Sequence, residues 1–274
     1  ILIASFGIAG VFFINGISFI ISSFSELFIN IPKTKIEKEL EKSPTLLNEL
    51  KFGLNFLWNK KEILSLFTIA IFLNFLFTGL IILGLPYIFK ELLEVNSRLY
   101  GYAQSIFPAG AVVGSIILSQ LPEIKNYFKV LFYSMNIQSL LLLALGIPLI
   151  PYFVINNSVL TIYYTIMFIL FLLGVSNAIL NVPIRILLQR LIPDNLRGRI
   201  TGLLSTMSQS LVPVSVALTG YLLDIMQVFY LFIAGGLAAL ILTLYIYKIP
   251  AMHNLNSYNK KVKNTNVSIN TLDA

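Results

Sequence analysis

Residues 130–184 read VLFYSMNIQS LLLLALGIPL IPYFVINNSV LTIYYTIMFI LFLLGVSNAI LNVPI, without a single Asp, Glu, Lys or Arg. A helix rises about 1.5 Å per residue, so roughly 20 apolar residues cross a hydrocarbon core of about 30 Å. Fifty-five residues must cross it twice. Lys129 and Arg185 bracket the run, which makes it a hairpin that leaves one face of a bilayer and returns to it near a turn at Pro151.

Outward from this hairpin the same gaps between charges recur. Seven spans fit them, at 8–30, 63–89, 99–121, 130–150, 159–184, 200–223 and 228–247. The composition agrees: 57% of residues are hydrophobic and 11% charged, with a mean hydropathy of +0.85, whereas about a quarter of a soluble domain is charged. Backbone polar groups in hydrocarbon must be satisfied within the segment, and the ten-residue alternation of a barrel is missing. The fold class is therefore all-α, a polytopic membrane helical bundle. The chain has no Cys, which excludes disulfides, thiolate metal sites and a thiol nucleophile. Its one histidine, His253, lies in a polar tail, so neither a histidine metal centre nor a Ser/His pair is expected, and no cofactor.

The net charge of +7 suggests nucleic acid only until the basic residues are located. Segments 31–62, 122–129, 185–199 and the tail from Lys248 hold seventeen of the nineteen Lys and Arg, and the opposite set of connections holds only Lys90 and Arg98. The positive-inside rule assigns the first set to the cytoplasm of a cell-membrane protein, with the first residues outside and the last ones cytoplasmic. Lipid is the partner, not nucleic acid. The chain opens on Ile1-Leu2-Ile3 with no Met and no basic leader, so a truncated beginning is expected.

Within 32–62 a charged run, Lys33 to Lys42, precedes Ser43-Pro44. Leu46, Leu47, Leu50, Leu54, Leu57 and Trp58 then recur at helical steps among polar residues, the pattern of an amphipathic surface helix in a spacer. Residues 250–274 contain six Asn and little apolar pattern, and a disordered tail is expected.

An internal repeat stands out. Gln104-Ser-Ile-Phe-Pro108 in the third span matches Gln209-Ser-Leu-Val-Pro213 in the sixth, with Gly101 and Gly202 before them and Gly114 and Gly220 after. More loosely, Asn74 and Pro86 in the second span match Asn177 or Asn181 and Pro183 in the fifth. Spans two to four thus repeat as five to seven, and three spans per unit make the repeat inverted, a transporter pattern.

Several stretches carry a family resemblance: Asn15-Gly-Ile-Ser-Phe19, Leu50-Lys-Phe-Gly-Leu-Asn-Phe-Leu-Trp58, Leu73-Asn-Phe75, and above all Asn181-Val-Pro-Ile-Arg-Ile-Leu-Leu-Gln-Arg-Leu-Ile-Pro-Asp-Asn-Leu-Arg-Gly-Arg-Ile200. The chain resembles the major facilitator superfamily, specifically its drug and macrolide efflux branch, over nearly all of 1–250. The resemblance implies a twelve-span protein of two six-helix bundles. Residues 1–31 would be the last span of an N-terminal bundle otherwise missing, 32–62 the cytoplasmic linker, 63–249 the C-terminal bundle and 250–274 the tail. The loop signature such proteins often carry between the second and third helices of a bundle is degenerate here, as Gln120-Leu-Pro-Glu-Ile-Lys-Asn-Tyr-Phe-Lys129.

Polar side chains inside a membrane are costly, so each is a candidate for ligand contact or interhelical hydrogen bonding. Asn74 and Thr78 share one face of the second span, and Asn177 and Asn181 one face of the fifth. The resemblance implies that these faces line a substrate cavity, with Gln104, Ser205 and Gln209 bordering the other bundle. Arg185, Arg190, Arg197 and Arg199 with Asp194 are candidates for cytoplasmic gate or lipid contacts. Gly110-Ala-Val-Val-Gly114 suits close helix packing, Pro108 and Pro213 are expected to kink their helices, and Asp224 is expected to be a loop acid. The resemblance implies export of small hydrophobic molecules by rocking bundles coupled to proton entry. An enzyme would need clustered acids or a nucleophile with its base in the spans, and an ATP-driven subunit would lack inverted units; a non-transporting remnant or assembly partner is the other alternative. Because the chain lacks Cys, single substitutions report topology cleanly: Asn157→Cys should react with an impermeant maleimide on intact cells, and Lys125→Cys only after permeabilisation.

Overall fold

The computed structural model describes residues 2–29, 55, 58, 60–122, 124, 126–192 and 194–250. Among them there is no strand, and seven helices are long and apolar enough to cross a membrane: Ala9–Leu27, Ile63–Leu92, Ser97–Gln120, Tyr127–Leu149, Val159–Leu191, Leu196–Ile225 and Val228–Ile246. These are spans 1 to 7. Span 1 belongs to one compact unit and spans 2 to 7 to another. The first helix starts at Leu2 and is interrupted at Gly7, where φ is +67° and only glycine sits without strain. The linker helix expected over 46–58 lies outside the described residues except for Asn55 and Trp58, both helical and exposed. The tail from 251 lies outside them too.

Side-chain caps mark where the chain re-enters the bundle. Asn96 Oδ1 accepts from the amides of Arg98 and Leu99 at 3.1 and 2.9 Å, Asn126 Oδ1 from that of Lys129 at 3.0 Å, and Ser158 Oγ from that of Thr161 at 3.2 Å. Each satisfies an amide that has no partner inside its helix. Span 2 ends differently, with Glu94 left-handed at φ +46° and the Val95 amide reaching back to the Phe89 carbonyl at 2.9 Å. The bond spans one residue more than a Schellman closure, in keeping with the π-helical last turn, and it buries Val95 beside Phe89 and Leu93.

Two expectations need correction. Span 5 does not stop at residue 184 but runs to Leu191, and the next helix begins at Asp194. Arg185 and Arg190 therefore lie on an exposed helical face rather than in a loop. Leu180, Leu187 and Leu191 continue one buried stripe, with Ile184 partly buried along it; charge marks where the chain leaves hydrocarbon, not where the helix ends. Second, the two prolines act differently. Pro108 lies within a helix that continues from Ser97 to Gln120, whereas span 6 breaks at Leu211 and restarts with Pro213 in its first turn. There the missing N–H would have had no helical partner.

The packing obeys the repeat. Span 3 lies on span 5 and span 6 on span 2; span 4 lies on span 5 and span 7 on span 2; spans 4 and 7 lie on each other. Exchanging 2 with 5, 3 with 6 and 4 with 7 leaves this set unchanged, as an inverted repeat requires. Individual residues follow. A Cβ on Gly146 would come within 2.8 Å of Ile233, and one on Gly236 within 2.7 Å of the Leu143 Cβ; Gly146 and Gly236 are ninety residues apart, as are Leu143 and Ile233. Taking the Gln-Ser-x-x-Pro motif as the ruler, Gly110 and Gly114 correspond to Ser215 and Thr219. Gly110 meets the Phe171 carbonyl and Gly174 of span 5, while Ser215 and Thr219 meet Gly79 of span 2. So the two crossings equate Gly79 with Gly174, and the looser match of Asn74 with Asn177 is not the one the packing selects.

The second crossing carries hydroxyls. Ser215 Oγ accepts from the Gly79 amide at 2.9 Å and donates to the Phe75 carbonyl at 2.5 Å, placing itself in a rung of the i→i−4 ladder. Beyond it span 2 widens into π-helical turns at Leu80–Gly84 and Ile88–Leu92 on either side of Pro86, consistent with a ladder loosened by an inserted side chain and a missing donor. At the first crossing there is room only for backbone. Gly174→Val should destabilise the bundle by about 1–3 kcal/mol or more, read as earlier loss of monomer in heated size-exclusion runs, while Gly101→Val, with nothing within 4 Å of an added Cβ, should leave the profile unchanged.

Candidate functional site

The crossing level set by Gly79 and Gly174 explains where the amides go. Asn74 precedes Gly79, whereas Asn177 and Asn181 follow Gly174. Spans 2 and 5 run in opposite directions, so all three amides fall on the same side of that level, displaced by about 5–10 Å at 1.5 Å per residue. This is the side that bears the basic connections 122–129 and 185–199. Repeat-equivalent positions would have been split between opposite sides.

Here the helices enclose a cavity of about 210 Å³ lined by Asn74, Phe77, Gln138, Asn177, Asn181 and Ser208 among others. A neighbouring cavity of about 260 Å³ shares Asn74, Phe77, Gln138 and Asn177 and adds Thr78 and Phe107. Spans 2, 4, 5 and 6 thus contribute amides and hydroxyls to the first of these spaces, and neither lining includes an Asp, Glu, Lys or Arg. Thr78 donates to Asn74 Oδ1 at 2.9 Å, turning that acceptor away and leaving the amide nitrogen of Asn74 as its donor. Asn181 donates to the Asn177 backbone carbonyl at 3.0 Å. The four-residue spacing along each helix therefore orients one member of each pair by the other.

Of the residues expected in the cavity, Asn74, Thr78, Asn177 and Asn181 line it. Gln104, Ser205 and Gln209, expected to border the other bundle, are exposed on spans 3 and 6, and Gln104 donates to the Tyr100 hydroxyl of its own helix at 2.6 Å. Sequence reasoning missed Gln138 and Ser208. Gln138 lay within the span whose polar residues were passed over, although Ser134, Asn136, Gln138 and Ser139 crowd its first half and such density in an apolar helix is a usable signal. Much of that density is structural: Ser139 donates to the Met135 carbonyl at 2.8 Å, Asn136 to the Phe132 carbonyl at 2.8 Å, and Ser176 of span 5 to the Ser134 carbonyl at 3.3 Å.

The arginines separate as well. Arg197 Nη2 donates to the Gln189 carbonyl at 3.0 Å, so a cation caps the last turn of span 5, where the helix dipole is negative. Arg185, Arg190 and Arg199 are exposed, the side chain of Asp194 lies outside the described ones, and Asp224 is exposed in the last turn of span 6. At the opposite end of the bundle aromatic packing fills the interior. Phe89 stands edge-on to Tyr163 at 5.8 Å, Tyr163 donates to the Leu99 carbonyl at 2.8 Å, and Lys90 Nζ lies 4.9 Å from the Tyr100 ring centre.

A bundle with inverted three-helix units and polar spaces on one side of its central crossing is a polytopic helical membrane protein of the transporter type. A family model, that of the Major Facilitator Superfamily, matches residues 1–216. The chain belongs to that superfamily of membrane transporters. No curated protein matches it, and no solved structure does.

The cavity makes a sharp local expectation. With Asn177 facing the space and Ser176 buried against span 4, Asn177→Cys should react quickly with a small water-soluble methanethiosulfonate and Ser176→Cys should stay unmodified under the same conditions, measured by mass shift of the intact chain.

Proposed function

We propose that the chain is the last span of one bundle, the linker and the whole second bundle of a major-facilitator exporter, belonging to the drug and macrolide efflux branch and acting in the cell membrane. The observation that carries this is a pair of adjoining cavities walled by amides, hydroxyls and apolar side chains with no charged group in their linings. Such walls hold large hydrophobic molecules by apolar contact and a few hydrogen bonds, without an ion pair that would restrict them to one charge. Binding beside the level where two inverted units cross lets rocking expose the ligand first to one side and then to the other. Proton antiport supplies the drive. With no carboxylate in this lining, the proton-binding acid belongs to the first bundle. The cytoplasmic arginines 185, 190 and 199 then contact lipid phosphates or gate acids as the faces close.

Efflux of a fluorescent hydrophobic dye from cells expressing the twelve-span protein tests this. Efflux should stop when a protonophore collapses the gradient, and should fall several-fold with Asn177→Leu. Dye extrusion that persists without a proton gradient and follows ATP instead would sink the proposal.

A further inference from the structure

Gln138 differs from the polar residues beside it on span 4. Span 4 is packed mainly between spans 5 and 7, yet this side chain, only 5% exposed, reaches the wall of both cavities. Ser139 and Asn136, its neighbours along the helix, give their donors to carbonyls of span 4 itself, and Ser134 of the same helix takes a bond from Ser176 at its carbonyl. The Gln138 amide has no hydrogen bond among the described residues, and its polar atoms are not sealed in the protein but open onto the cavity. An amide that opens onto a cavity with no partner from the protein keeps its donor and acceptor for whatever enters the space. Around it stand Phe77, Asn74 and Asn177, with no charge on the lining.

We infer that Gln138 is a specificity-determining residue of this transporter: its amide hydrogen-bonds a neutral polar group of the transported molecule, a carbonyl, hydroxyl or amide, at the wall shared by the two cavities. The inference rests on the transport function proposed above. A primary amide offers a donor and an acceptor, so either kind of neutral group fits, whereas an ion placed there would lose its hydration and find no countercharge. The groups Asn74 and Asn177 present alongside Gln138 give a ligand hydroxyl or carbonyl more than one partner.

Two radiolabelled probes test this with the twelve-span protein in lipid nanodiscs: chloramphenicol, neutral with an amide and two hydroxyls, and tetraphenylphosphonium, which has no hydrogen-bonding group. Gln138→Leu should weaken chloramphenicol binding about five- to tenfold, the loss of one hydrogen bond to a buried partner, and leave tetraphenylphosphonium unchanged. The thermal midpoint of the variant should stay close to that of the wild type, because the amide makes no hydrogen bond to the protein; Gln138→Asn should keep partial chloramphenicol affinity. Equal losses for both probes, a lowered midpoint with both losses, or no loss at all would overturn the assignment. Wild-type binding of tetraphenylphosphonium alone overturns it too but leaves the transport proposal standing, whereas binding of neither probe removes both.

Discussion

Hydrocarbon offers a polar group no partner, and the whole molecule is arranged around that fact. Backbone amides and carbonyls close on themselves in helices long enough to cross, and side-chain caps appear at Asn96, Asn126 and Ser158, where the chain comes back from its connections. Hydroxyls inside the spans mostly return to their own helix, as Ser105 does to the Tyr102 carbonyl and Ser115 to the Ala111 carbonyl. Ser215 bonds instead to span 2, joining two helices through a rung of one ladder. Against so complete a settlement, the amides turned into the cavity are the exception.

The same solvent removes the usual reason for helices to associate, because lipid tails are as apolar as leucine. Close approach must then supply the attraction. It occurs where side chains are absent or small: Gly110 and Gly114 against Gly174 and Ala178, Gly79 against Ser215 and Thr219, Gly146 and Gly236 on either side of the contact between spans 4 and 7. These contacts bring the helices closest at the middle of the bundle, and the cavity lies to one side of them, where Asn74, Asn177 and Asn181 sit. The cavity is thus a consequence of where the small residues are, and its polarity a consequence of which side of them the amides fall.

The number of spans, their all-helical nature and the inverted repeat were legible in the charge gaps and in the matched Gln-Ser-x-x-Pro stretches. Span ends were less so: the fifth span continues past Arg185 because its buried stripe continues, and a charge count has no access to that stripe. For the site, Asn74, Thr78, Asn177 and Asn181 could be named from four-residue spacing on one face. Gln104 and Gln209, equally polar and equally central in their spans, lie on exposed faces instead of in this cavity. A periodicity argument says which residues share a face, not what that face meets.

By itself, the sequence determined that this chain crosses a bilayer seven times, which connections carry the positive charge, and that its second half repeats an inverted unit. Each follows from a property summed along the chain: apolar length against bilayer thickness, the distribution of Lys and Arg, the order of matched residues. Only the tertiary structure decided that Gly79 and Gly174, rather than the asparagines, are equivalent, that Gln138 from span 4 joins the cavity, and that Gln104, Ser205 and Gln209 lie on exposed faces. These depend on the rotation and level of each helix, set by the closest backbone contacts with its neighbours, and such contacts exist only once the helices have packed.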